Sequence, residues 1–108
     1  MTPPLTNKRL TMLEALIAKG TQDPFVRYAR ALELRGLDRL DEAAAAFEEL
    51  RTRHPRYVPS YLMAGQTMVS LGRTEDARAW LTQGIQVAKE ERDEHARSEL
   101  QQALDTLA

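Results

Sequence analysis

A chain of 108 residues can bury one modest hydrophobic core without the staples that mini-proteins need. Its 15 lysines and arginines stand against 16 aspartates and glutamates, so no overall field draws it onto nucleic acid or an anionic membrane, and neither is expected as a partner. With no cysteine, disulfide frameworks, thiol nucleophiles, cysteine-based zinc sites and iron–sulfur clusters are all excluded.

Valine, isoleucine and threonine never form the alternating runs of half-buried strands, whereas alanine and leucine recur at helical spacing, so the chain reads as all-α. Residues 1–5 lack the charged start and apolar run of a secretion signal, and no later run approaches the ~20 apolar residues that span a bilayer. A cytoplasmic location is the expectation. The first helix is placed over residues 3–19, with Thr2 as its cap and Leu10, Leu13, Leu16 and Ile17 as its buried stripe. Glycine and proline then punctuate the chain at 20–24, 36–39 and 54–59, followed by turns at 71–73 and 90–92. The helix after the second break carries Ala43, Ala46, Phe47 and Leu50 on one face; the next carries Tyr61, Ala64, Gly65, Met68 and Leu71. Thr74 is the expected cap of a fifth helix, whose Glu75 and Asp76 suit the positive end of the helix dipole and whose stripe is Ala77, Trp80, Leu81, Gly84, Ile85 and Ala88. The last helix, over 93–107, turns Ala96, Leu100, Ala103, Leu104 and Leu107 inward. Six helices joined by short loops should pack as antiparallel neighbours.

An offset of 34 residues lays the chain on itself, pairing Ala31 with Gly65, Leu34 with Met68, Leu37 with Leu71, Ala43 with Ala77 and Phe47 with Leu81. Small residues meet small and large apolar residues meet large, as a packing constraint imposes. The stretch Tyr61-x2-Ala64-Gly65-x2-Met68 followed by Ala77-x3-Leu81, and the stretch Ala31-x2-Leu34 followed by Ala43-x3-Phe47 and Pro55, together resemble the tetratricopeptide repeat family. That resemblance implies two helix-turn-helix repeats, over 24–57 and 58–91, in one domain spanning 1–108. The N-terminal helix covers one end, the last helix caps the other, and the whole winds as a right-handed superhelix. Two departures stand out: Arg27 and Arg30 occupy places where the family turns an aromatic and a leucine into the hairpin, and Asp38 replaces the turn glycine seen at Gly72. The arginine stems can lie along the core while their heads reach solvent or an acid, and aspartate tolerates the left-handed conformation better than most residues.

Chemistry is hard to find. His54 and His95 have no second histidine at ligand spacing and read as solvated, so no metal and no cofactor are expected. The adjacent acids at 41–42, 48–49, 75–76 and 90–91 read as solvated faces and dipole partners, and the glycines are isolated, with no phosphate loop or nucleophile elbow. The basic segment 51–57 reads as a helix end stopped by Pro55. The chain is therefore not expected to be an enzyme; a hydrolase or metal enzyme assembled around His54 or His95 is the remote alternative.

The resemblance implies that the first helix of each repeat lines a concave face and that residues beside its core stripe look into it. These are Phe25, Tyr28, Leu32 and Arg35 on the first repeat, and Leu62, Gln66 and Val69 on the second. Either they form an apolar groove that holds a helix or extended segment of another protein, or Phe25 and Tyr28 pack on the first helix and Leu32 on Leu62, filling it. The family's carboxylate clamp, which needs polar side chains where Tyr28 and Leu32 stand, is not matched. The leading function is an adaptor that binds a protein or peptide; the alternative is a homo-oligomerisation unit.

Overall fold

The computed structural model describes residues 7–107, which form six helices: α1 Lys8–Ala18, α2 Pro24–Gly36, α3 Leu40–Arg53, α4 Pro59–Ser70, α5 Thr74–Glu90 and α6 Glu94–Asp105. Among the described residues there is no strand. Three helices start on a side-chain cap: Asn7 accepts from the Leu10 amide, Asp23 from the Phe25 amide, and Asp93 from the Ala96 amide. Pro24 and Pro59 open α2 and α4, where the missing N–H costs nothing.

Two start points differ from the sequence reading. Asn7 is extended and caps α1, so that helix begins at Lys8 rather than near residue 3; a cap at Thr2 lies outside the described residues. Thr74 is the first residue of α5 and not its cap, because Arg73 holds the cap position and donates from Nε to Asp76 at 2.8 Å. The second hairpin helix of the preceding unit starts the same way, with Arg39 clasping Glu42 at 2.6 and 2.7 Å. Neither helix has a side-chain cap on its first amides; an arginine-to-acid pair spans the first turn of each instead.

Four helices end alike. Gly20, Asp38, Gly72 and Arg92 have positive φ. After each, the next amide reaches back into the helix: Thr21 to the Leu16 carbonyl, Arg39 to Leu34, Arg73 to Met68 and Asp93 to Ala88. This closes the last turn and satisfies carbonyls that would otherwise be orphaned. Asp38 adopts the left-handed conformation expected of it, with φ of 62°.

The helices pair in sequence as hairpins, α2 with α3 and α4 with α5, while α1 lies on α2 and α6 on α5. α4 lies next to both α2 and α6, so these three form one layer. On the opposite side α1, α3 and α5 stand farther apart, and long side chains bridge α3 to α5: the Arg51 guanidinium sits 3.8 Å over the Trp80 ring and donates to Gln83 Oε1 at 2.6 Å. A stack whose one layer is close and whose other is splayed bends toward the close one, which makes the α2–α4–α6 face the inner face.

The stripes read from the sequence form the core. Ala31, Leu34, Ala43, Phe47, Leu50, Tyr61, Ala64, Ala77, Leu81 and Ala88 are buried to the last per cent or two. Small residues set the hairpin distance: a Cβ placed on Gly65 would stand 2.7 Å from Leu81 Cδ2, and one on Gly84 only 2.5 Å from Tyr61 Cβ. Arg27 and Arg30 resolve as their chemistry requires, since the buried Arg27 pairs with Glu49 and Arg30 Nε reaches Glu14 at 3.0 Å. Leu16 is a correction. It is 40% exposed, because α1 has a single neighbour and needs only the narrow stripe of Leu10 and Leu13, with Ile17 half-buried beside them. In the basic segment 51–57, Arg51 lies on Glu48 and Trp80 and Arg56 on Glu91 at 3.0 Å.

Candidate protein-binding face

Three hollows lie on the inner face. The first, about 250 Å³, opens between Tyr28, Leu62, Met63 and Ala96, with Asp93 and Glu99 on its α6 edge. The second, about 450 Å³, has Arg35, Gln66, Val69, Ala103 and Leu107 around a floor that includes Leu81. The third, about 510 Å³, sits at the end of α2 between Leu32, Arg35, Asp38, Leu40 and Ser70. Arg35 is a wall of both the second and the third.

Of the residues singled out from the sequence, Tyr28 and Leu62 meet in the first hollow, Arg35, Gln66 and Val69 in the second, and Leu32 joins Arg35 in the third. Phe25 lines none of them; it is 55% exposed at the first turn of α2. Tyr28 packs on rings of α3 and of the turn that follows it. It is half-buried and edge-on to two rings, Tyr57 at 5.5 Å and Phe47 at 6.4 Å between centroids. Burial pushes its phenol above the usual range and the nearby Arg35 charge pulls it part of the way back, so Tyr28 presents a neutral, amphipathic wall at neutral pH. Leu62 and Leu32 are partly buried against the core, while Val69 is 47% exposed and Gln66 is exposed.

Arg35 is distinctive. Its Nε is the one buried side-chain nitrogen or oxygen among the described residues without a hydrogen-bond partner, and its guanidinium makes no ion pair there. An arginine cannot shed its charge to relieve that burial.

Sequence reasoning left out α6, assigned only to sealing the end. Ala96, Glu99, Ala103 and Leu107 nevertheless border the inner hollows while Leu100 seals the core. The signal was present, for the repeat step that carries Tyr28 to Leu62 carries Leu62 to Ala96, and the one from Arg35 to Val69 leads on to Ala103.

His95 stands at the mouth of the first hollow with its side chain 86% exposed and Nε2 3.5 Å from Glu99, and His54 is half-buried beside Pro24 and Pro55. Among the described residues no three histidines or acids are grouped to hold a metal, and no helix is long and apolar enough to cross a membrane.

Stacked antiparallel hairpins with a continuous inner face define a helical-repeat protein, the class in which shape rather than a reactive group carries function. The chain belongs to the tetratricopeptide repeat family, whose model matches residues 34–104, from the second half of α2 into α6. It is similar to a tetratricopeptide repeat domain protein from Salinibacter ruber at 45% identity. The solution structure of that domain superposes with a TM-score of 0.73 over 76% of this chain and 83% of the other; its crystal structure does so at 0.72, over 76% and 92%. A solution structure of a protein from Bordetella parapertussis shares the fold at 24% identity, with a TM-score of 0.79 over 91% of this chain and 85% of the other. No curated protein matches. Folds of this family generally mediate protein–protein interaction and typically carry no catalysis.

Proposed function

We propose that the chain is an adaptor that holds a helix or peptide of a partner protein on its inner face, with Tyr28, Leu32, Arg35, Leu62, Gln66 and Val69 as contacts and Phe25 at the rim. The observation that carries this reading is the row of hollows along α2, α4 and α6, two mainly apolar and the third more polar, in which half-exposed Leu62, Leu32 and Val69 alternate with Arg35 and Gln66. Apolar side chains left open beside a few polar ones supply burial for affinity and hydrogen bonds for register. Alpha6 extends this surface by Ala96, Ala103 and Leu107.

The test is a pull-down from lysate of the source organism with wild type and with the Tyr28→Ala/Leu62→Ala double variant, circular dichroism having established that both are helical. A partner retained by wild type and lost by the variant is the expected result; a partner held equally by both puts the binding surface elsewhere. A second reading, self-association, is favoured by one feature, the outward face of α1 with Met12 58% and Leu16 40% exposed. It predicts concentration-dependent sedimentation that persists in the double variant and is lost with Met12→Lys/Leu16→Lys.

A further inference from the structure

We propose that the segment held on the inner face is an amphipathic helix carrying a carboxylate side chain that seats on Arg35, two helical turns from an apolar side chain that seats between Tyr28 and Leu62. This rests on the inner face being the binding surface and specifies what it binds.

The charge pattern assigns the carboxylate. Arg35 is a fixed cation with a buried Nε that nothing in the described chain satisfies, and it walls two open hollows at once. A ligand that covers Arg35 buries a charge that no described residue pairs; a carboxylate offsets that cost, whereas an apolar group leaves it uncompensated. Asp38 offsets the Arg35 charge in the outer hollow, but Arg35 is the one charged residue lining the second hollow, which is therefore cationic. At the other end Asp93 and Glu99 edge the Tyr28–Leu62 hollow, where a ligand carboxylate would be repelled. The face is thus polarised, acidic at one end and cationic at the other, which favours one direction of the bound segment.

The spacing assigns the helix. Tyr28 and Arg35, like Leu62 and Val69, stand two turns apart on their helices, roughly 10 Å at 1.5 Å per residue. A bound helix spans that distance between side chains on one face. An extended strand would span it in about three residues at ~3.3 Å each, which turns the two side chains to opposite faces.

The experiment pans a display library of random, helix-forming peptides against the intact chain, its Arg35→Glu and Arg35→Gln variants, and the Tyr28→Ala/Leu62→Ala variant, all checked for helicity. On wild type the enriched peptides should carry Asp or Glu two turns from a large apolar residue. The best of them should bind the Arg35→Gln variant about tenfold more weakly or worse, the scale of a lost charge-assisted hydrogen bond. Arg35→Glu should replace the acid by Lys or Arg at the same position. Enriched peptides without an acid, or selection unchanged by Arg35→Glu, overturn the ligand while leaving the binding face intact if the double variant still abolishes enrichment. Peptides that bind the double variant as well as wild type, or no enrichment on wild type, overturn both.

Discussion

Truncating Phe47 to alanine is expected to destabilise the chain by about 3–5 kcal/mol, the range for emptying a fully enclosed aromatic site. Phe47 has no exposed surface and lies in the α2–α3 hairpin, where Ala31, Ala43 and Leu34 leave no slack to collapse into the void. It is also edge-on to Tyr28. The loss therefore propagates from the core to the first inner hollow, linking stability to the binding face. Because a domain of this size is held by only about 5–15 kcal/mol, a large part of the margin disappears. Chemical denaturation followed by circular dichroism measures it. A midpoint shift worth under about 1 kcal/mol would mean that Phe47 is not packed as described.

The second large effect comes from adding one carbon. Gly84→Ala would place a Cβ 2.5 Å from Tyr61 Cβ and 3.0 and 3.2 Å from the Leu100 methyls. Tyr61 Cβ is anchored to its backbone and cannot swing aside as a flexible tip can, so α4 and α5 must move apart. That motion also loosens the ring, which lies 5.7 Å from Trp80, and the hydroxyl, which donates to the Pro55 carbonyl at 2.5 Å. Overpacking of this kind costs about 3 kcal/mol, and the better helix propensity of alanine returns about 1, for a net loss near 2 kcal/mol. In thermal unfolding that is a drop of roughly 8–16 °C. The control is Gly36→Ala, which has open space around its Cβ and should be neutral or slightly stabilising. Equal melting of the two variants would contradict the close approach at Gly84.

The fold was legible because hairpin packing leaves a periodic trace: small residues at Ala31, Ala43, Gly65 and Ala77 where helices touch, and large apolar ones between them. Burial decides those positions, so one sequence suffices to read them. Details decided by competition were not legible. Arg73 holds the cap position of α5 and Thr74 falls one residue inside the helix, and Leu16 stays exposed because α1 has only α2 to cover it. Arg92 takes the left-handed turn that glycine takes elsewhere, with φ of 58°, and its side chain gives no sign of it. The inner face was readable in part. Tyr28 with Leu62, and Arg35 with Gln66 and Val69, come together as hollows, whereas Phe25 stands apart and the α6 contribution was masked by that helix's second task of sealing the core with Leu100. The unsatisfied Nε of Arg35 is a property of three-dimensional surroundings, and no spacing rule reports it.

The central claim is that the α2–α4–α6 face, and not the opposite one, holds a partner protein. It is tested most directly by site-specific photo-crosslinking in cells, with the photoreactive residue placed at Gln66 on the inner face or at Thr82 on the outer surface of α5; both positions are exposed. A discrete adduct with another protein from position 66, and none from position 82, is the predicted result. An adduct from 82 alone, or equal adducts from both, would contradict it.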